Sequence, residues 1–233
     1  MNIALIGPTG AGKGTQCTAL TSAFGLRHLS TGDLFRQNVA DRTALGLLAR
    51  RYIDSGELVP DEVVEAMVEE QVRKCAPSQG FLFDGYPRTV GQARFIDELL
   101  ESVGRKLDAV IYLDLSDEAV LARLGGRRIC SQCNQPYHLV HRPPAQPERC
   151  DVCGGKLESV AQDRSDLALS RIRAFRRAIG PVLEYYNASG RLRQIDAAGN
   201  VGRVRELIDA AVRQVPSTVR GAPLQPVPAG VAT

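Results

Sequence analysis

Apolar residues in this chain follow two patterns, which are short continuous runs and longer segments with a helical period. Each continuous run leads into a helical segment, as the first run does into residues 13–24. Buried strands that alternate with helices are typical of a parallel sheet covered on both faces. The pattern therefore predicts an α/β fold with a parallel sheet of about five strands. The predicted strands are residues 2–6, 28–30, 80–83, 109–115 and 192–195.

Residues 31–67 depart from this alternation, because their pattern is helical almost throughout. Ser30 or Thr31 is the expected N-cap, since a hydroxyl oxygen can accept a hydrogen bond from the first turn. A second helix is expected to begin at Asp61, directly after Pro60. This segment is predicted to form a small helical flap.

A second departure covers residues 126–162, which we call the insertion. It is rich in Cys, Pro, Gly and Gln and has little helical period, so it is expected to have an organiser of its own. A long helical pattern follows over residues 163–186, with an interruption or bend expected near Gly180 and Pro181. Residues 216–233 contain four prolines and no period, which predicts a disordered tail.

The composition is that of an ordinary globular protein with a small positive charge. Hydrophobic residues make up 44% of the chain and charged residues 24%, and no apolar run approaches the roughly 18 residues of a membrane span. The N-terminus has no basic segment followed by a long apolar run, so no signal peptide is expected and the cytoplasm is the expected location. A net charge of +3 is too small to indicate nucleic acid as a partner.

The positive charge is spread unevenly along the chain. Residues 121–180 contain eleven Lys and Arg against five Asp and Glu. Such a segment could receive a small polyanion, although a solvated basic helix face is the commoner meaning of a charge run. The polyanion hypothesis therefore needs support from motifs.

A glycine-rich turn, GPTGAGKGT at residues 7–15, connects the first predicted strand to the first predicted helix. Glycines let backbone N–H groups converge on phosphate oxygens, the helix N-terminus adds the positive end of its dipole, and Lys13 adds a mobile charge. The general pattern has Ser or Thr directly after the lysine, whereas here Gly14 stands there and Thr15 follows. The context predicts a phosphate-binding loop, with a chance glycine-rich turn as the alternative.

Four of the six cysteines form two CxxC pairs separated by sixteen residues. Each pair can place two thiolates on one ion, which is the arrangement of a structural zinc site. A redox pair or disulfides are the alternatives. The remaining two, Cys17 and Cys75, are expected to be small buried thiols in helical segments. The predicted metal ligands are Cys130, Cys133, Cys150 and Cys153.

Five motifs in the chain occur in the order that is seen in adenylate kinases. They are GPTGAGKGTQ (7–16), STGDLFR (30–36), GELVPD (56–61), FDGYPRTVGQA (83–93) and GRRIC (126–130). That family also has the phosphate loop in the form GKGT, with the threonine displaced as it is here. The chain therefore resembles an adenylate kinase over about residues 1–213, and its cysteines resemble those of the long form with a zinc-containing lid.

The resemblance implies reversible transfer of the ATP γ-phosphoryl group to AMP, giving two ADP. It implies a P-loop nucleoside-triphosphate-binding fold in a monomer, Mg²⁺ that accompanies ATP, and a structural Zn²⁺. Nucleic acid and membranes are not implied as partners. The implied division is a core of residues 1–29, 60–125 and 163–215, an NMP-binding flap of residues 30–59, a zinc-binding lid formed by the insertion, and the tail.

Transfer between phosphates needs no general base, because the accepting oxygen is already an anion, and arginine forks suit the alignment of two polyanions. By resemblance, the principal catalytic residues are Lys13, Arg88, Arg127 and Arg171. The residues that match ATP-binding positions are Gly10, Ala11, Gly12, Lys13, Gly14, Thr15, Arg123, Arg127 and Gly199. The residues that match AMP-binding positions are Thr31, Arg36, Leu58, Val59, Gly85, Arg88, Gln92 and Arg171. Asp33 and Asp84 match positions that order Mg²⁺ through its water shell.

Several of these residues have a plainer alternative. Arg36 and Arg88, taken singly, could each form a surface ion pair. Leu58 and Val59 could equally be core residues of the flap. Asp33 lies near the start of a helix and could cap it.

The chain departs from the family pattern at the end of the insertion and after the last strand. With no gap assumed, a further lid arginine falls at Val160, and the first of two acidic residues falls at Gln162, which leaves only Asp163. Arg164 is a candidate substitute, and Ala197 stands where the family usually has glycine. These departures support two other hypotheses: a catalytically weak nucleotide-binding sensor, or a kinase for another monophosphate such as CMP or UMP.

Overall fold

A computed structural model describes residues 1–133, 135–160, 163 and 165–215 of the chain. Its helices are α1 (Lys13–Phe24), α2 (Thr31–Ala40), α3 (Ala44–Ser55), α4 (Asp61–Arg73), α5 (Val90–Ser102), α6 (Asp117–Gly126), α7 (Ser165–Ala188) and α8 (Val201–Arg213). Its strands are β1 (Ile3–Ile6), β2 (Arg27–Ser30), β3 (Phe81–Asp84), β4 (Ala109–Asp114), β5 (Arg127–Cys130), β6 (Pro136–His138), β7 (Leu157–Glu158) and β8 (Leu192–Asp196). The predicted tail, residues 216–233, lies outside the described residues.

The main sheet has five strands in the order β2-β3-β1-β4-β8, and all neighbouring pairs are parallel. Each of the five predicted strands is present, with bounds that differ by no more than one residue. Ala4 and Ile6 of β1 pack into one apolar cluster, and Ile3 and Leu5 pack into a second cluster on the opposite face. The predicted parallel sheet, buried on both faces, is confirmed.

Three helices, α2, α3 and α4, cover most of residues 31–67, where the sequence pattern is helical almost throughout, and the third begins at Asp61 as expected. Ser30 is the N-cap of α2, because its Oγ accepts a hydrogen bond from the Asp33 backbone N–H at 3.2 Å. The helices α2 and α3 pack so closely that a Cβ at Gly46 would lie 2.2 Å from the Asn38 carbonyl oxygen, which requires glycine there.

The insertion forms an antiparallel sheet of three short strands in the order β6-β5-β7. Among the described residues of the insertion, the buried apolar cluster consists of Cys130, Tyr137, Cys150 and Leu157, and two of these residues are cysteines of the CxxC pairs. A cluster of this size buries too little apolar surface to hold a fold by itself. The expectation of a separate organiser therefore fits the packing.

The helix α7 runs without a break from Ser165 to Ala188, with Pro181 inside it. The predicted interruption near Gly180 and Pro181 is therefore wrong, and the alternative of a bend there stays a prediction. The flanking residues Ile179, Val182 and Tyr186 are buried in the main apolar cluster, and this packing outweighs the hydrogen bond that the proline cannot donate. Among the described residues, no helix combines the length and hydropathy that crossing a bilayer requires.

Candidate functional site

The glycine-rich turn lies between the end of β1 and the start of α1, at the carboxyl edge of the parallel sheet. Gly10 and Gly12 have positive φ angles of 79° and 94°, a conformation that glycine adopts without strain. No side chain caps the first turn of α1, so its backbone N–H groups are left for a ligand. Lys13 Nζ donates hydrogen bonds to the carbonyl oxygens of Gly7 at 2.7 Å and Pro8 at 2.8 Å. The turn thus holds its ammonium group ready beside the N-terminus of the helix.

Lys13 lies among three other charged groups. Burial is the largest cause that lowers the pKa of its ammonium group, to about 8, and the cations Arg88 and Arg171 lower it further. The carboxylate of Asp84 opposes this shift. Three predicted cationic residues and one predicted acidic residue therefore come together, although they lie far apart in the sequence. Positive charge exceeds negative charge among them.

Asp84 ends β3, where the carboxyl ends of parallel strands gather ligands. Its carboxylate Oδ2 lies 3.2 Å from His28 Nε2, and its backbone oxygen accepts a hydrogen bond from Thr31 Oγ1 at 3.4 Å. Burial alone would raise the pKa of Asp84, but the hydrogen bond from His28 and the charge of Lys13 outweigh burial and lower it. The group therefore stays ionised at neutral pH. The Cys17 Sγ atom also lies within 4.8 Å of an oxygen of this carboxylate.

Arg88 lies just beyond Asp84 and is held by backbone contacts. Its Nε donates to the Gly85 carbonyl oxygen at 2.7 Å, and its own N–H donates to Gln92 Oε1 at 2.8 Å. Among the described residues it has no carboxylate at ion-pair distance, and burial lowers the pKa of its guanidinium. The alternative of a surface ion pair is therefore wrong for Arg88. Gln92 is itself fixed, because its Nε2 donates to Asp61 Oδ1 at 2.8 Å.

The predicted site residues of the flap differ from one another in exposure and in their contacts. Arg36 and Asp33 are both exposed and form an ion pair with each other on α2, so the plainer alternative holds for Arg36 in this conformation. Asp33 does not cap α2, because Ser30 does and Asp33 only supplies the N–H group. Val59 is 7% exposed and belongs to the main apolar cluster, whereas Leu58 lines a shallow surface cavity against α7.

Arg123 connects the phosphate loop to the turn after β8. Its guanidinium donates to the carbonyl oxygens of Ala197 at 2.7 Å, Gly199 at 3.2 Å and Ala11 at 3.4 Å. Burial lowers the pKa of this guanidinium. Arg123 and Gly199, both predicted to bind ATP, are thus neighbours. Ala197, the departure from the family pattern, is fully buried and places only its backbone at this point.

Arg127 at the start of β5 and Arg171 on α7 converge on one carboxylate. The oxygens of Asp163 lie 3.4 Å from Arg127 Nη1 and 3.3 Å from Arg171 Nη1. Burial raises the pKa of Asp163 in spite of these two cations. Val160 is partly buried, and its carbonyl oxygen accepts a hydrogen bond from the Asp163 N–H at 2.9 Å. Gln162 and Arg164 lie outside the described residues, so the hypotheses that concern them stay untested.

The four cysteines of the insertion form one compact group. Their Sγ atoms lie 3.4 Å apart for Cys130 and Cys153, 3.5 Å for Cys133 and Cys150, and 3.3 Å for Cys133 and Cys153. All are free, so the disulfide alternative is wrong. A tetrahedron with Zn–S bonds of about 2.3 Å has sulfur–sulfur edges of about 3.8 Å. The group therefore fits a four-thiolate metal site.

Several residues of the site were not predicted from the sequence. His28 and Cys17 both contact the Asp84 carboxylate, and Asp61 anchors Gln92. No local motif identifies them, because each contact joins elements that are distant in sequence. The Nε2 atom of His138 lies at hydrogen-bond distance, 3.0 Å, from the Arg123 carbonyl oxygen and connects the insertion to α6.

The chain is similar to known proteins over the regions that contain the site. The family model for adenylate kinase matches residues 5–191. A protein named adenylate kinase from Acidothermus cellulolyticus is 44% identical over 213 residues, which cover 91% of this chain and 98% of that protein. The one from Bacillus pumilus is 44% identical over 204 residues, covering 88% and 94%. The one from Methanothrix thermoacetophila is 38% identical over 204 residues, again covering 88% and 94%. Similarity thus extends from the phosphate loop through the insertion.

Proposed function

This chain belongs to the adenylate kinase family, and we propose that it transfers the γ-phosphoryl group of ATP to AMP in a reversible reaction that yields two ADP. The observation that carries the proposal is the convergence of Arg88, Arg171 and Asp84 on Lys13. A partly buried site with excess positive charge suits two polyphosphates placed end to end. Water would otherwise screen the charges that hold them.

The ATP side of the site is proposed to be the phosphate loop and the groups above it. Backbone N–H groups of residues 10–15 face the phosphates, and Lys13 exchanges its carbonyl partners for phosphate oxygens. Arg123 lies beside Gly199, where a planar guanidinium can stack on the adenine ring. This arrangement binds and orients ATP with its γ-phosphate pointing along the edge of the sheet.

The AMP side is proposed to lie between the flap and the end of β3. Arg88 binds the α-phosphate through its fork, and its backbone anchors keep the guanidinium in place. Gln92, Thr31 and Gly85 form the wall near the adenine, with Leu58 and Val59 as its apolar part. Arg36 would have to leave Asp33 to reach the phosphate, which a closing flap allows.

The transfer step is proposed to depend on alignment and charge stabilisation. An oxygen of the AMP phosphate attacks the γ-phosphorus, and the bond to the β-phosphate bridging oxygen breaks. Arg127 and Arg171 neutralise the charge that spreads over the moving phosphoryl group. Both guanidinium groups already share Asp163, so this carboxylate positions them before the nucleotides arrive.

Mg²⁺ is proposed to enter with ATP. Asp84 would hold its water shell, because this carboxylate remains ionised and lies beside the phosphate loop. Asp33 is the second candidate, and closure of the flap would have to bring it nearer. The ion supplies positive charge between the ATP phosphates, and the residues of the chain supply the alignment.

The insertion is proposed to act as the lid, residues 30–59 as the NMP-binding flap, and residues 1–29, 60–125 and 163–215 as the core. Zn²⁺ is proposed to fill the four-cysteine site, where four thiolates leave no position for substrate. Its role is then to fold the lid, with no part in the transfer. Reduced thiolates fit the cytoplasm. The chain is proposed to act as a monomer.

The test is an assay of nucleoside diphosphate formation from MgATP with AMP, CMP, UMP and GMP in parallel. The proposal predicts two ADP for each AMP consumed and much slower reaction with the other acceptors. Product with CMP or UMP but not AMP would assign a different acceptor. Binding of ATP and AMP without any product would indicate a sensor instead of a kinase.

A further inference from the structure

A second group of metal-ligand side chains lies beneath the phosphate loop. Cys17 Sγ, a nitrogen of His28 and an oxygen of Asp84 all lie within 4.8 Å of one another. The three residues come from α1, β2 and β3, so the fold alone brings them together. They share no residue with the cysteines of the insertion. The proposed kinase reaction assigns no role to Cys17 or His28.

The sheet register explains how these side chains meet. Ser30 of β2 pairs with Asp84 of β3, and His28 pairs with Leu82, so His28 and Asp84 project from the same face. Leu82 packs in the apolar cluster that contains Cys17, which identifies this face as the one covered by α1. The thiol and the imidazole therefore approach the Asp84 carboxylate from two elements.

The donor set favours a thiophilic ion over Mg²⁺. Thiolate, imidazole and carboxylate are the three ligand types of zinc, whereas Mg²⁺ prefers oxygen alone. Zinc bonds of about 2.0–2.3 Å place neighbouring ligand atoms about 3.3–3.8 Å apart. His28 Nε2 and Asp84 Oδ2 are 3.2 Å apart, close to that spacing before any ion is added. Three protein ligands leave a fourth position for water.

Charge and access are also compatible with an ion. A thiolate and a carboxylate balance the two charges of Zn²⁺, so Lys13, which lies next to the group, would face a neutral complex. Cys17 is fully buried, but the His28 side chain is 35% exposed and gives a route from solvent. We propose that Cys17, His28 and Asp84 form a second binding site for a thiophilic divalent cation such as Zn²⁺, and that filling it inhibits phosphoryl transfer.

Binding is a ligand exchange without oxidation or reduction. The Cys17 thiol releases its proton to solvent as the S–Zn bond forms. The His28 ring binds through Nε2, and the proton that Nε2 donates to Asp84 in the free protein moves to Nδ1. Asp84 then donates to zinc and is withdrawn from the water shell of Mg²⁺. The inhibition depends on the proposed kinase function, whereas the number of zinc ions that the chain binds does not.

The first experiment counts zinc on the full chain by competition with a chromophoric chelator. We expect wild type to bind two ions, one in the four-cysteine site and one more weakly in the second site. Cys17→Ala and His28→Gln should bind the second ion at least about tenfold more weakly, since loss of even an outer partner of a metal ligand costs about 10–100-fold. Cys75→Ala is the matched control, because Cys75 is a half-buried thiol outside both groups.

A single zinc ion on wild type, or an undiminished second ion on Cys17→Ala, would overturn the proposal. Circular dichroism checks that each variant is folded. His28→Gln is a separate test at a partly exposed position, and this variant retains the Cys17 thiol.

The second experiment measures turnover with excess Mg²⁺ as free Zn²⁺ is raised above the level that fills the four-cysteine site. Wild type and Cys75→Ala should lose activity, while Cys17→Ala should keep the rate that it has when only its four-cysteine site is filled. Equal inhibition of all three would refute the inhibitory role even if a second ion binds.

Discussion

The phosphate loop and the insertion supply cations to the same cleft, but they are stabilised in different ways. The loop stands on a sheet whose strands are buried on both faces, and Lys13 is fixed by two carbonyl oxygens. The insertion has a buried apolar cluster of four residues, two of which are cysteines. Burial of apolar surface therefore stabilises the first region, and the proposed metal is expected to stabilise the second.

This difference separates binding from closure. A region held by the main core keeps its geometry whether or not a nucleotide or an ion is present. A small sheet that is tied to the core through α6 and through contacts such as that of Asp163 can move as a unit. The phosphate-loop region is therefore expected to determine the affinity for nucleotides. The insertion is expected to determine how often the cleft closes productively.

The largest effect is expected from Arg88→Ala, on the core side of the comparison. This change removes the fork that holds the acceptor phosphate, and loss of one such group typically lowers kcat about 10²–10³-fold. Steady-state kinetics with MgATP and AMP measures the loss. Arg94→Ala, an exposed arginine on α5, is the control and should behave as wild type. Equal rates for Arg88→Ala and wild type would remove Arg88 from the site.

The next largest effect is expected from Cys133→Ala, on the insertion side. Three thiolates hold the metal poorly, so the insertion should lose its order and kcat should fall at least about tenfold, whereas ATP binding at the phosphate loop remains. Hydrogen exchange should increase in residues 127–158 and stay unchanged in the five-stranded sheet. Cys75→Ala is the control. Unfolding of the sheet together with the insertion would contradict the separation of the two regions.

The same contrast explains what the sequence alone could predict. The five parallel strands were found to within a residue, because continuous apolar runs and the glycine-rich turn are local signals. The strands of the insertion are two to four residues long and carry no such signal. The meeting of Asp163 with Arg127 and Arg171, and of His28 with Asp84, depends on packing between distant elements. The break expected at Pro181 failed because buried neighbours hold the helix together.

A smaller, graded effect is expected from pH, through Lys13. Burial lowers the pKa of its ammonium group to about 8, so the free protein loses this charge as the pH rises through that value. We expect kcat/KM for MgATP to be constant below that pH and to fall about tenfold for each unit above it. Thermal unfolding over the same range should show that the fold persists. A flat profile up to pH 10 would mean that Lys13 stays protonated or is not needed.

The smallest effect is expected from Asp163→Asn, which joins the two regions. Burial raises the pKa of Asp163, so its ionised form is disfavoured in the fold and its contribution to stability is lost as the pH rises through that pKa. Asparagine carries no charge for burial to disfavour, so the variant should unfold at a slightly higher temperature than wild type at pH 7. Its kcat should fall by about threefold to tenfold, because Arg127 and Arg171 lose their shared partner. Faster turnover would show that Asp163 competes with the phosphates instead of positioning the arginines.

The most direct test is a crystal structure with a dinucleotide in which ATP and AMP are joined through their phosphates. The account predicts that Lys13 leaves the Gly7 and Pro8 carbonyl oxygens for phosphate oxygens, and that Arg127 and Arg171 turn from Asp163 onto the phosphate chain, beside Arg88. A dinucleotide bound elsewhere, or bound here with both arginines still paired to Asp163, would contradict it.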